Sequence, residues 1–164
     1  MALNPRHVDI EDVLNRHDAG SGTAEAGAIV YLSGDKQVAK VAASGNKPYG
    51  MLGQAVKADP AGLPQNFQFP GQIGNSDARL GDPVLVYHSG QFETTHYVLP
   101  AGIAAGAPLY CGAAVVAEQS KLIASGTGAA LGLDSLPKVV ALAQSALSAD
   151  EAADGKALLI ELLV

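Results

Sequence analysis

Carboxylate and imidazole side chains that could act together are concentrated in the first eighteen residues of the chain. Such groups bind metal ions and transfer protons in many proteins, so their proximity raises both possibilities. Their spacing matches no established ligand pattern, however, and a charged segment facing solvent is the better explanation. We therefore expect no metal site and no catalytic residue here. The residues concerned are His7, Asp9, Glu11, Asp12, His17 and Asp18.

A second set of such side chains consists of His88, Glu93 and His96. The two histidines flank the sequence SGQFETT, and Glu93 lies within it. If Tyr87 and Tyr97 lay on paired strands, the two imidazoles could face each other and form a two-histidine, one-carboxylate metal site with Glu93. Both histidines also lie beside an expected turn at SGQ, where polar aromatic residues are common. The sequence favours a structural role, and a small hydrolase that uses His88 and His96 remains a less favoured alternative.

Nucleophilic catalysis and phosphate binding find little support in the sequence. The serines lie mainly in turn sequences such as SGD, SGN and SGT, and no G-x-S-x-G motif occurs. Cys111 is the single cysteine, and its small neighbours favour a buried hydrophobic side chain over a reactive thiol. The glycines at 126, 128 and 132 lack the Lys-Ser or Lys-Thr pair of a phosphate loop. We expect no catalytic residue, no cofactor and no metal.

The composition limits the class of partner. Charged residues make up only 16% of the 164 residues, and the net charge is −6 without any cluster of Lys and Arg. Nucleic acid is therefore disfavoured as a partner, whereas a weakly charged surface is easily buried against another protein. The longest apolar run, Ala157 to Val164, is too short to cross a membrane, and the start of the chain resembles no secretory signal. We expect synthesis in a cytoplasm and no membrane partner.

The elements that would position these side chains fall into two regions. Residues 1–25 are predicted to form an N-terminal arm with one short amphipathic helix, because Ile10, Val13, Leu14 and His17 follow helical spacing. From Ala26 to Val164, short β-like runs alternate with turn sequences, and no βαβ pattern occurs. The predicted fold class is all-β, mainly an antiparallel barrel or sandwich with at most short helices.

An internal repeat runs through the β-rich region. The sequence AGAIVYL from Ala26 is matched by AGAPLYC from Ala105, and a second strand follows each copy. YGMLGQAV from Tyr49 likewise resembles VVALAQSAL from Val139. The repeat therefore covers about residues 26–56 and 105–147, and we interpret it as a duplicated scaffold.

Two segments are less certain. Residues 135–147 fit either a helix or a strand, and the repeat favours the strand; a loop or helical turn and a closing strand buried on both faces should follow. The long connection between Lys57 and Leu80 is rich in turn formers and contains Phe67 and Phe69. A connection of this length is usually functional or interfacial.

The pattern of strands and turns resembles that of one protein family. Two strands joined by a Gly-Asp turn are followed by KPYGMLG, and the chain ends with AGAPLY, VVALAQSAL and KALLIELLV. This arrangement is similar to the small capsid decoration, or cement, proteins of tailed bacteriophages. The resemblance covers roughly Ala26 to Val164, leaves the arm outside and includes no site motif.

The resemblance implies a β-rich and commonly trimeric protein on the outer surface of an icosahedral phage head. Such proteins bridge neighbouring major capsid subunits, so the expected partners are the major capsid protein and further copies of this chain. The expected location is the virion, after synthesis in the host cytoplasm. The main alternative is another virion surface module, such as a fibre base or receptor-binding knob. The residues predicted to contact the capsid are Ile10, Val13, Leu14, Phe67 and Phe69.

Overall fold

The structure is a computed structural model that describes residues 3–12 (backbone only from 8 to 12), 15–58 and 77–164. Strands dominate these residues, with one short helix, so the predicted all-β class is confirmed. The helix α1 comprises Ala149–Ala153. The strands are β1 (Leu3–Asp12), β2 (Arg16–His17), β3 (Ile29–Gly34), β4 (Gln37–Lys40), β5 (Gly50–Leu52), β6 (Val56–Lys57), β7 (Ala78–Arg79), β8 (Val86–Thr94), β9 (Tyr97–Val98), β10 (Pro108–Cys111), β11 (Leu122–Ile123), β12 (Val139–Ala143) and β13 (Leu158–Leu163).

One large mixed sheet contains eleven of the strands, and β6 and β7 form a separate parallel pair. The strand order is β2-β4-β3-β5-β8-β13-β12-β10-β11-β9, and β1 pairs with β8 off this path. The succession of parallel and antiparallel pairings is the same whether the strand order is read from β2 or from β9. The terminal pairs β2–β4 and β9–β11 are parallel, and every pairing between them is antiparallel. The sheet thus consists of two equivalent halves joined where β8 meets β13.

Individual backbone hydrogen bonds are also repeated between the halves. The Gly27 N–H donates to the Leu52 carbonyl at 2.8 Å, and the Gly106 N–H donates to the Ala143 carbonyl at 2.7 Å. Both glycines have positive φ, 91° and 80°, which glycine adopts without the strain a side chain would cause. The AGA sequences that open each copy of the repeat therefore make the same turn.

A reciprocal pair of hydrogen bonds recurs in the same way. Ala24 and Val56 exchange N–H···O bonds of 3.0 and 2.7 Å, and Ile103 and Leu147 exchange bonds of 2.7 and 2.9 Å. The two halves therefore share equivalent hydrogen bonds in the connections between strands as well as in the strands themselves.

The N-terminal segment does not form the predicted helix. Residues 3–12 form β1, which pairs antiparallel with β8 from Leu3 opposite Thr94 to Asp12 opposite Val86, with three register shifts. The apolar stripe from Ile10 spans too few turns to stabilise an isolated helix. Pairing with β8 satisfies the backbone groups instead. His17, the last member of the stripe, lies buried in β2.

The turn expected at SGQ is also absent. Ser89, Gly90 and Gln91 lie in the middle of β8, where Gly90 is buried and has a φ of 134°. These residues pair with β1 and with β13, so hydrogen bonds to two neighbouring strands outweigh the local turn preference of Ser-Gly.

The C-terminal elements agree with most of the predictions. β12 is a strand, and α1 begins with a capping box in which Ser148 and Glu151 bond each other's backbone N–H groups. β13 lies in the middle of the sheet, between β8 and β12, rather than closing it, and only one of its faces is fully buried, since Leu159 and Glu161 are partly exposed. The prediction of burial on both faces was therefore wrong. No helix among the described residues is long and apolar enough to cross a membrane.

The main core lies across both halves of the sheet. It draws side chains from strands of both halves, among them β3, β5 and β8 of the first and β10, β11 and β13 of the second, and Phe92 of β8 packs against Tyr87 with ring centroids 4.8 Å apart. A second, smaller cluster lies in the first half and includes Val30, Val38 and Val86. Because the main core draws on both halves, neither half can bury its apolar side chains alone.

We predict that Gly50→Ala destabilises the protein by about 1–3 kcal/mol, because overpacking a filled core is costly. A Cβ at Gly50 would lie 2.3 Å from Val86 Cγ1 and 2.9 Å from the Tyr87 carbonyl oxygen. Gly45→Ala is the matched control, since nothing lies within 4 Å of its Cβ position. Its effect on the free energy of unfolding in urea should stay within about 0.5 kcal/mol. Equal unfolding midpoints for the two variants would contradict the prediction.

Candidate functional site

An open depression among the described residues lies between the β4–β5 and β11–β12 loops. Its volume is about 620 Å³, and we call it the Leu133 groove. A neighbouring depression of about 410 Å³ shares Gly132, Leu133 and Lys138 with it, so the concave surface extends past Leu133. The groove is lined by Tyr31, Leu32, Gly45, Asn46, Lys47, Pro48, Tyr49, Gly132, Leu133 and Lys138.

The first wall of the groove is the β4–β5 loop, which is held by Asn46. The Asn46 side-chain oxygen accepts the N–H groups of Ala42 and Ala43 at 3.1 and 2.9 Å. Asn side chains form such turns readily because they bond backbone groups a few residues away. Tyr49, which follows, is fixed by its edge-on contact with His88, with ring centroids 4.6 Å apart.

The second wall is the β11–β12 loop, whose tip has the sequence GLDSLP. The Gly132 N–H donates to the Leu136 carbonyl at 2.7 Å, and the Leu136 N–H donates to Asp134 Oδ1 at 3.2 Å. Ser135 completes the turn with a φ of 61°. The two walls are joined where the Leu131 N–H donates to the Ser44 carbonyl at 2.9 Å. Both walls are therefore ordered by their own hydrogen bonds.

Three leucines expose apolar surface at the groove and on its second wall. Leu133 is 87% exposed, Leu136 is 62% exposed and Leu32 is 49% exposed. Exposed apolar side chains that lie close together mark interaction surfaces in soluble proteins. The sequence analysis did not single out these residues. A leucine between turn formers, as in GLDSLP, is the signal that could have identified them, because such a residue has no regular element to bury it.

Lys138 lies at the base of the second wall. Its Nζ donates to the Pro48 carbonyl at 3.2 Å, and it makes no ion pair within the described residues. Burial lowers the pKa of Lys138, because the charged form loses solvation. The groove therefore combines apolar side chains with a half-buried positive charge.

The side chains of the predicted capsid-contact residues lie outside the part of the chain that the structure describes. Ile10 lies in β1, where the structure describes the backbone alone. Val13, Leu14, Phe67 and Phe69 lie outside the described residues. Their predicted role stays a prediction.

The two histidines of the possible hydrolase site lie in different surroundings. His88 lies in β8, and its Nδ1 donates to the Tyr49 carbonyl at 2.8 Å. Glu93 accepts bonds from Asn4 and Arg6 of β1. His96 follows β8 in the chain and lines a different depression, of about 280 Å³, beside Lys121. Tyr97 pairs with Leu122 rather than with Tyr87, so the paired strands imagined for the site do not occur.

Two other groups that could take part in chemistry, the Cys111 thiol and the His17 imidazole, are buried. Cys111 is fully buried in β10, and burial raises the pKa of its thiol. Burial likewise lowers the pKa of His17. Within residues 3–7, 15–58 and 77–164, whose side chains are described, no group of three His, Cys, Asp or Glu side chains could hold a metal ion.

Comparisons with known proteins give no further assignment. No protein-family model matches the chain, and no curated protein sequence is significantly similar to it.

We predict that His96 makes the protein less stable as the pH falls from about 7 to 4. Burial, with a smaller contribution from Lys121, lowers the pKa of His96 from 6.5 to about 4. The unfolded chain therefore binds a proton at a pH where the folded protein does not, and the free energy of unfolding falls through this range and levels off below it.

Urea unfolding at several pH values would measure this effect. Between pH 7 and 4 the wild type should lose ~2 kcal/mol more than His96→Gln. An NMR titration of the His96 imidazole should give a midpoint near 4. A midpoint above pH 6, or the same pH dependence in both proteins, would contradict the prediction.

Proposed function

We propose that this chain is a capsid decoration protein of a tailed bacteriophage, which stabilises the head by bridging major capsid subunits. The single observation that carries the proposal is the group of exposed leucines at the Leu133 groove, two on the well-ordered β11–β12 loop and one in β3. The resemblance of the repeated strands and turns to cement proteins supports the same function.

The physical mechanism is multivalent binding. Only 16% of the residues in the chain are charged, so its surface loses little solvation energy when another protein covers it. If three copies bind together, the second and third contacts form intramolecularly once the first exists. Linked contacts of this kind raise the overall affinity by about a hundredfold or more. Weak individual contacts could then oppose the pressure of packaged DNA on the shell.

Binding to expanded heads tests the proposal directly. Leu133→Ser should lower the occupancy of purified heads of the encoding phage by at least about tenfold at limiting protein, since an exposed anchor side chain is removed. Its unfolding midpoint should stay within experimental error, because Leu133 is 87% exposed. Val116→Ser is the matched control, because Val116 is 81% exposed but does not line the groove.

The outcomes separate the rival functions. Loss of head binding in Leu133→Ser alone supports the proposal, and an absence of head binding by the wild type contradicts it. Binding of the wild type to host cells, without binding to heads, would favour a receptor-binding knob instead. Hydrolytic activity that disappears in a His88→Ala, His96→Ala double variant would favour the hydrolase.

We also predict that the free protein is a trimer at micromolar concentration. Light scattering should give three times the chain mass of 16.6 kDa. Sedimentation at several concentrations provides an independent measurement. A mass equal to that of a single chain across the micromolar range would show that the protein does not assemble before it binds.

A further inference from the structure

The charges at the Leu133 groove differ from those of the whole chain. The net charge is −6, yet both charged side chains that line the groove are lysines, Lys47 and Lys138. Asp134, the acidic side chain of the β11–β12 loop, lines the neighbouring depression rather than the groove itself. It accepts the Leu136 N–H at 3.2 Å and forms no ion pair within the described residues. The groove is therefore locally positive.

The ammonium group of Lys138 has unused capacity for hydrogen bonds. Its Nζ carries three donors, and the structure gives it one acceptor, the Pro48 carbonyl. A partly buried charge without a counterion is unfavourable, and a carboxylate is the group that would compensate it best. A partner that covers the groove would bury this ammonium further. Such a partner must therefore supply an acceptor or lose affinity.

The apolar part of the groove lies beside this charge. Tyr31, Tyr49 and the exposed Leu32 and Leu133 surround the same cavity as Lys138. The second depression continues the surface past Leu133, which makes the site elongated. Both walls are held by internal hydrogen bonds, so binding orders little of this protein and costs little entropy.

We infer that the Leu133 groove binds an extended segment of a partner protein in which a carboxylate side chain lies beside apolar side chains. The carboxylate pairs with Lys138, and the apolar side chains cover Leu133 and the tyrosines. The inference rests on the proposed function, because it treats the groove as the surface that meets the capsid. It adds the chemistry of the segment that the groove recognises.

Two short peptides test this chemistry without a capsid. Acetyl-Leu-Asp-Leu-amide and acetyl-Leu-Asn-Leu-amide have the same shape and differ in one charge. In amide NMR spectra of the full chain, both should shift signals of residues 45–49 and 132–138. The Asp peptide should bind about three- to tenfold more tightly, as expected for a charge-assisted bond at a partly exposed site.

Three lysine variants test whether the preference for the Asp peptide depends on the charge of Lys138. Lys138→Gln should bind both peptides equally, whereas Lys36→Gln should keep the preference for Asp, because Lys36 lies in the β3–β4 turn and does not line the groove. Lys138→Arg should also keep the preference for Asp, because it retains the positive charge. Comparing Lys138→Arg with Lys138→Gln therefore separates loss of charge from loss of packing. The wild-type comparison needs no variant, so it stands even if Lys138→Gln folds poorly.

The results distinguish this inference from the proposed function. Equal affinities of the wild type for the two peptides, shifts outside the groove, or an unchanged preference in Lys138→Gln would overturn the inference. Head binding that depends on Leu133 could still be observed in that case. A clear preference for the Asp peptide without any binding to heads would support the inferred chemistry of the groove and contradict the capsid function.

Discussion

The antiparallel pairing between β8 and β13 is the interaction on which the rest of the structure depends. It joins the two halves of the sheet along six residue pairs, from Leu158 opposite Thr94 to Leu163 opposite Ser89. β8 also pairs with β1 and β5, and its Phe92 is fully buried in the core shared by both halves. Without this pairing, each half would expose the apolar face that the other half now covers.

The fold could be predicted from the sequence where local signals and the repeat agreed. Residues 139–143 fitted a helix or a strand by their spacing, and their similarity to the segment from Tyr49 decided correctly for the strand. Local signals failed where distant pairing decided the structure. The helical spacing from Ile10 and the turn preference of Ser89-Gly90 are both overridden by the pairing between β1 and β8. Ile10 and Ser89 pair with each other across 79 positions, and neither residue carries information about so distant a partner.

The candidate site was harder to predict than the fold, for a related reason. Catalytic and metal sites depend on residue types that can be searched for, and that search led to His88 and His96, which lie in different surroundings. The groove depends instead on leucines that ought to be buried by their residue type. Leu133 and Leu136 lie in the GLDSLP tip, whose conformation is fixed by hydrogen bonds of Gly132 and Leu136 that become visible only in three dimensions.

The position of the groove connects the repeat to the proposed binding surface. The β4–β5 and β11–β12 loops occupy equivalent places in the two halves, and they meet at the bond between Leu131 and Ser44. The groove therefore exists only when both halves are present, because each contributes one wall. The two loops differ in sequence: one supplies Asn46 and Lys47 and the other supplies Leu133 and Lys138. The two halves of the sheet therefore form together a surface that one half could not form, because each supplies a different loop to it.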